Sequence, residues 1–468
     1  MRRTAVAVSI ALTACLLSCS RKPKAPPPPD PKDLPANIDK IASEVLADTG
    51  VPSASVAAVS DGKIVYVHAY GNARLPQTAA TPAMRYSIGS ISKQFTSVAL
   101  LMLAQDGKLS IDDPVGKYVP GLTRGDAITI RQILSHTSGY PDYAPQDYMI
   151  PEWEKPVSAE ALLDRWARKD LEFEPGTRWQ YSNTNFVIAG LIVEKVAGVQ
   201  LVDFLGERVF KPLGMTSVTN TDRQKLGNTD AQGTFRRALG PPHPAPHEGP
   251  GWMYAAGELA MTAEDLAKWD VAVIQKAILG PDSYRQLESE VALANGAGTR
   301  YGLGITVQLT QGHRELRHGG EVSGFVAANI VWPDDKLAVA VLTNQDASDA
   351  AASIAEKVRD ALFRATSPAS IESDQRVKQT LADLADKKLD RSRLTANLSA
   401  YFTDEAVAEY ADTLHPLGAL DSVVQVSSAR RGGMIYRHYK AKYGDKAMDL
   451  SVYETTDGKL EQFLLSKD

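Results

Sequence analysis

The chain has 468 residues, of which 44% are hydrophobic and 23% charged, which is enough apolar material for about two or three folded domains and excludes wholesale disorder. Its 51 basic and 56 acidic side chains leave a net charge of −5, so composition offers no basic surface for a nucleic acid. Both cysteines, Cys15 and Cys19, lie near the start, so the rest of the chain has no disulfide, thiol nucleophile or cysteine metal site.

Residues 1–18 read as an export signal. Arg2 and Arg3 precede an apolar run, Ala5 to Leu17, that is too short for a permanent membrane helix. Leu16-Leu17-Ser18-Cys19 resembles the bacterial lipobox, in which cleavage precedes a cysteine that carries a diacylglycerol. Cys19 is therefore the expected lipidation site, and a lipid anchor is the expected membrane contact. Residues 19–36 contain Pro26-Pro27-Pro28-Pro29 and are expected to form a stiff tether, at roughly 3 Å per residue. These features predict an exported protein, anchored to the cell envelope and facing the periplasm.

Residues 37–365 form the expected main domain. The apolar spacing of Ile38, Ile41, Val45 and Leu46 predicts a helix over 37–49. Alternating residues 53–59 and 63–69, joined by Ser60-Asp61-Gly62, predict a hairpin. A helix is predicted over 90–106, with Phe95, Val98, Met102 and Leu103 as its stripe. Residues 110–295 read as helices and irregular loops, and Thr262 with Asp265 forms a cap-like pair at one helix start. Strands are predicted at 302–310, 322–331 and 336–343, and a helix from about 347 to 364. Strands at both ends of a helical middle predict one sheet built from both ends of the domain.

Residues 366–375, rich in Ser and Thr with Pro368, read as a linker. The final domain, 376–468, is predicted helical to 413 and then four-stranded, at 421–428, 433–443, 447–453 and 459–465. By pattern it resembles small cystatin-like or nuclear-transport-factor-like α+β domains. Its aromatic run from Met434 to Tyr439 reads as core, and nothing in it suggests an active site.

Three sequence elements carry chemistry. In the first, Ser90 and Lys93 stand three apart on the opening turn of a helix and share a face. A serine hydroxyl needs a base, and Lys93 can be one if a helix N-terminus and burial disfavour its ammonium form. The Ser90 N–H can serve as an oxyanion donor. A second Ser-x-x-Lys, Ser60 to Lys63, falls on the hairpin turn. The second element is Tyr181-Ser182-Asn183. In an extended loop Tyr181 and Asn183 point the same way, so the phenol can relay protons, phenolate-like, and the amide can bind a substrate carbonyl. The third is His318-Gly319-Gly320 before a predicted strand. Its glycines would admit a substrate backbone, and the Glu321 N–H offers a second oxyanion donor.

In this order the three elements resemble the serine β-lactamase and penicillin-binding-protein superfamily, in the branch of class C β-lactamases and D-alanyl-D-alanine carboxypeptidases. Leu134-Ser135-His136-Thr137-Ser138-Gly139, Phe173 to Thr177 and Val341 to Asn344 extend the resemblance over about 40–364. It implies a β-lactamase/transpeptidase-like α+β fold, an antiparallel sheet flanked by helices with an inserted helical subdomain, beside the small C-terminal α+β domain. It implies Ser90 as nucleophile, Lys93 as base and Tyr181 as proton relay. Asn183 would contact substrate and Lys93, and His318, Gly319, Gly320 and Glu321 would line the substrate site. His136 is structural in the resemblance. No cofactor or metal is expected, and proline around His243 and His247 speaks against a metal pair.

His318 replaces the family's lysine and Gly319 its threonine. That weakens the expectation of an efficient β-lactamase and suits carboxypeptidases, esterases and D-aminopeptidases. The expectation is a serine hydrolase that opens an amide or ester through an acyl-enzyme, with small molecules or peptides as substrates, peptidoglycan stem peptides among them. The alternatives are a class C-like β-lactamase and a peptide-binding sensor without turnover. If His318 docks a carboxylate, its titration near 6 to 7 should appear in the pH profile.

Overall fold

A computed structural model describes residues 34–467 apart from 147, 311 and 367; the expected signal, Cys19 and most of the tether lie outside them. The chain divides into two compact units, with the boundary between Glu372 and Ser373.

In the first unit, helix α1 (Leu34–Thr49) leads into strands β1 (Ser53–Ser60) and β2 (Lys63–Arg74). Helix α2 (Ser92–Gln105) follows a short 3₁₀ turn at Gly89–Ile91. The helical middle includes α3 (Thr184–Ala197) and α4 (Ala263–Gln275), the latter capped by Thr262 Oγ1 accepting the Asp265 N–H, as the sequence pair predicts. Strands β3 (Thr306–Thr310), β4 (His313–Val322), β5 (Phe325–Trp332) and β6 (Leu337–Thr343) precede α5 (Ala350–Thr366). The sheet order is β2-β1-β6-β5-β4-β3, with a two-residue strand at Thr78–Ala79 outside β2. All pairings are antiparallel, and β1 meets β6 with Val56 opposite Val341. Both ends of the unit thus share one sheet, as expected.

Strand β1 reads as a nearly continuous small apolar run because both its faces are covered. Ala57 and Val59 face the helical middle, with Phe95, Val98 and Trp269. Val56 and Ala58 face α1 and α5, with Ile38, Val45, Ile354 and Val358. Phe95 lies 4.7 Å from the Trp269 ring and 5.4 Å from Phe210, so α2 is wedged under the sheet. Truncating such a fully buried ring costs about 3–5 kcal/mol.

Strand β4 is the main departure from expectation. The residues expected just before a strand are themselves in a strand, so His318, Gly319 and Gly320 lie within the ladder, opposite Asn329, Ala328 and Ala327. The linker expected at 366–375 is also different: helix α6 (Pro368–Ala385) covers most of it. Proline has no N–H to contribute and a preset φ, so it can open a helix where it could not continue one.

The second unit continues through α7 (Ala396–Tyr401) and α8 (Asp404–Leu414) to four sequential antiparallel strands, β7 (Ser422–Arg431), β8 (Met434–Tyr443), β9 (Lys446–Glu454) and β10 (Leu460–Lys467). Its core joins Val377, Leu381 and Phe402 to Tyr439, Leu450, Val452 and Phe463. A buried Arg437 donates to Gln425 at 2.6 Å and to Glu454 at 2.9 Å.

Among the described residues no single helix is long and apolar enough to cross a membrane. The bent pair of α3 with Leu201–Phe210 is long and apolar enough only when taken together, and Phe186, Ile188, Ile192, Phe204, Val209 and Phe210 on it are core.

Candidate active site

The first two elements meet at Lys93. Its Nζ donates to Ser90 Oγ at 2.9 Å, to Asn183 Oδ1 at 2.8 Å and to the Ala256 carbonyl at 2.8 Å. Burial pulls the Lys93 pKa down to about 7, against the Asp142 carboxylate, which favours the ammonium. A substantial neutral fraction therefore exists at neutral pH, and its lone pair can take the Ser90 proton. Asp142 also accepts the Asn183 backbone N–H at 2.9 Å and its Nδ2 at 3.1 Å, which turns Oδ1 toward the lysine. Neither Asp142 nor the Ala256 carbonyl was among the expected site groups. Nothing in a sequence window marks a carbonyl 163 positions away.

Ser90 sits in the 3₁₀ turn just before α2, and Gly89 has φ +51°. A Cβ on Gly89 would stand 2.7 Å from the Glu321 nitrogen. A Cβ on Gly320 would lie 1.8 Å from the Ile88 carbonyl oxygen and 3.2 Å from the Ser90 nitrogen. The glycine at 320 thus admits the protein's own turn rather than a substrate backbone. That approach brings the Ser90 and Glu321 backbone nitrogens to one end of the cleft. Gly319 has open space instead, with only the Ala327 carbonyl at 3.8 Å from a would-be Cβ.

The Tyr181 ring lies 5.0 Å from Lys93 Nζ. Its hydroxyl is buried and makes no aligned hydrogen bond, though it is near enough to Ser90 for that hydroxyl to oppose the shift burial imposes. Burial pushes the phenol well above its usual range. Tyr181 is therefore a neutral phenol at pH 7, not the phenolate-like group expected, and of the two Lys93 is the better base. His136 holds the Tyr181 loop from both sides. Its carbonyl accepts the Gln180 N–H at 3.0 Å and its Nδ1 the Ser182 N–H at 3.1 Å. Its ring packs 4.3 Å from that of Tyr181.

His318 also departs from expectation. Its Nδ1 lies 2.6 Å from the Gly319 carbonyl and must donate, so Nε2 accepts the Tyr301 hydroxyl at 2.8 Å. Burial, with Lys93 nearby, lowers the His318 pKa to about 4. The imidazole is therefore neutral at physiological pH, and its titration is moved below the 6 to 7 expected. Tyr301 was not among the expected site residues; two nearby glycines, Gly302 and Gly304, are the only local sign that the chain runs close to something there.

A polar chain behind the cleft ties α2 to the sheet. Trp269 Nε1 donates to Gln94 Oε1 at 2.9 Å, Gln94 Nε2 to Asn329 Oδ1 at 3.2 Å, and Asn329 Nδ2 to the buried Asp270 at 2.7 Å. Gln94 adjoins Lys93 and Asn329 opposes His318, so this chain sets the distance between the first and third elements.

The cleft has a volume of about 700 Å³ and brings together Ser90, Tyr181, Asn183, His318, Gly319, Gly320 and Glu321. A serine beside a partly neutral lysine, facing two backbone nitrogens, is the apparatus of a serine hydrolase. The comparisons agree. The Beta-lactamase family model matches residues 38–363, and the chain belongs to that family. It is 25% identical to a penicillin-binding protein of Bacillus subtilis (strain 168), over 79% of this chain and 84% of that one. It is 31% identical to a D-aminopeptidase of Brucella canis over 68% of this chain, and it spans 61% of that relative's length. A D-stereospecific amidohydrolase from Streptomyces sp. superposes with TM-score 0.60 at 27% identity, over 70% of this chain and 99% of that one. The protein is a β-lactamase-related serine hydrolase of the kind that works through an acyl-enzyme.

Proposed function

We propose that the protein hydrolyses amides whose acyl part carries a free amino group, D-amino acid amides or short D-aminoacyl peptides. Ser90 attacks the carbonyl as Lys93 takes its proton. The backbone nitrogens of Ser90 and Glu321 receive the oxyanion, and Asn183 orients both substrate and lysine. Tyr181, as a neutral phenol, passes a proton to the leaving nitrogen and regains one from the Lys93 ammonium, and water then releases the acyl group as its acid. The observation that carries this reading is the neutral His318. Carboxypeptidase and β-lactamase substrates present a carboxylate where the family keeps a lysine, and here the docking group has no charge to offer it. The nearby cation Arg317 is committed to Glu315 and Glu356, at 3.4 and 3.9 Å. The D-aminopeptidase and D-stereospecific amidohydrolase relatives support the same class.

The proposal extends to location. Cys19 carries the lipid and the Pro-rich tether holds the catalytic unit off a membrane on the periplasmic side, where D-amino acid peptides of peptidoglycan origin are substrates. A steady-state panel of D-amino acid amides, D-Ala-D-Ala peptides, nitrophenyl esters and a chromogenic cephalosporin tests the reading. It expects turnover of the amides and esters above the two carboxylated classes. A cephalosporin or D-Ala-D-Ala peptide as the best substrate would overturn it, and stoichiometric labelling without turnover would favour the sensor.

A further inference from the structure

We infer that Glu248 receives the free ammonium of the substrate's acyl part and is the residue that makes the site select unblocked aminoacyl amides. The inference rests on the aminoacyl reading above and adds where and by what the amino group is held.

Direction along the cleft comes first. Strand β4 runs from His318 through the oxyanion nitrogen of Glu321 to its end at Val322, and a two-residue turn, Ser323-Gly324, leads into β5. Tyr181, the proton donor, lies at the His318 end, with ring centroids 6.3 Å apart. The Tyr181 hydroxyl, buried in the cleft without an aligned partner, awaits a ligand atom there. The leaving nitrogen, which needs that proton, belongs at this end. The acyl part, on the other side of the carbonyl, therefore points toward the turn.

At the turn the protein places two carboxylates on consecutive backbone N–H groups. Glu248 Oε1 accepts from Ser323 at 2.7 Å, and Asp346 Oδ2 accepts from Gly324 at 3.0 Å. Both residues line the cleft that contains Ser90. Among the described residues no lysine, arginine or histidine nitrogen forms an ion pair with Glu248. Burial, with Asp222 and Asp346 nearby, pushes its pKa up, and Lys225 and His247 line the adjoining recess without forming an ion pair to it. With no cation in contact, a partly desolvated carboxylate lacks the counter-ion that would offset its burial. An ammonium delivered by the substrate supplies one. Of the two acids, Glu248 lines both the cleft and the smaller recess that shares Met253 and Gly257 with it, whereas Asp346 lines the cleft alone.

The test compares D-phenylalanine p-nitroanilide with its N-acetyl derivative on the full chain. The quantity read is the ratio of their kcat/KM values, from which the amount of folded enzyme cancels. The wild type should favour the free amine. Glu248→Gln should reduce the ratio about 10- to 100-fold, mainly through KM for the free amine, as expected for losing a hydrogen bond to a charged group. Glu248→Asp should retain part of the preference. An unchanged ratio in Glu248→Gln, with the wild type still preferring the free amine, overturns the assignment to Glu248 alone. A wild type that prefers the acetylated substrate overturns the aminoacyl reading, and this inference falls with it.

Discussion

Lys93 Nζ lies 2.9 Å from Ser90 Oγ and spends its other two contacts on the Ala256 carbonyl and Asn183 Oδ1, so the only hydroxyl it touches is that of Ser90. The two other donor directions are fixed by groups that do not react. A change in lysine protonation is therefore felt at the serine first.

This geometry predicts the pH dependence. The base must be neutral, and burial sets Lys93 near 7. With p-nitrophenyl acetate, which does not titrate, kcat/KM should rise with pH through about 7 and then level off. His318, at about 4, should add no limb between 5 and 9. Asp142→Asn removes the charge that favours the ammonium, so the limb should move to lower pH. A shift to higher pH would assign the limb to another group.

The third element can be tested through its glycines. Gly320→Ala drives a methyl into the Ile88 carbonyl and should destabilise the unit by about 1–3 kcal/mol, read by denaturant melts, and lower activity with it. Gly319→Thr restores the family's hydroxyl into open space and should fold normally. Equal destabilisation by both variants would mean that β4 does not pack on the Ser90 turn as described.

His318→Lys should bring a cation to the leaving-group end of the cleft. It should raise kcat/KM for carboxylated substrates relative to neutral esters. Tyr301→Phe removes the hydrogen bond to His318 Nε2 without adding charge and should not change that preference. A gain from Tyr301→Phe equal to that from His318→Lys would show that ring mobility, not charge, governs substrate class.

The proposed anchor at Cys19 is tested by fractionation. Membrane fractionation should find the wild type in the detergent phase and Cys19→Ser released or retained as precursor. A mature chain beginning beyond residue 19 without lipid would remove the anchor from the account.

What could be read in advance divides along a physical line. Ser90 with Lys93, and Tyr181 with Asn183, were legible because each pair's geometry is set within one turn or one short extended segment. The hairpin at 53–69 and the four final strands were legible because turn residues and β-rich runs are local signals. Strand β4 was not, because Arg314, Glu315 and Arg317 break its alternation and two glycines weaken its propensity. It is a strand because β3 and β5 pair with it. The protonation of His318 was illegible for the same reason, since its burial depends on Tyr301, Tyr181 and Lys93 converging from distant elements. Asp142, Tyr301 and the Ala256 carbonyl enter the site only through tertiary structure.

The central claim is that Ser90 is the nucleophile, and one labelling experiment addresses it directly. The full chain is treated with a fluorophosphonate, digested, and mapped by mass spectrometry. The account predicts a single adduct on Ser90, absent in Ser90→Ala and formed at least about a hundredfold more slowly in Lys93→Ala, the scale of losing a general base. An adduct that persists in Ser90→Ala and maps to Ser60 on the hairpin turn, or to Ser138, whose Oγ is buried 2.6 Å from Asn185 Oδ1, would contradict it.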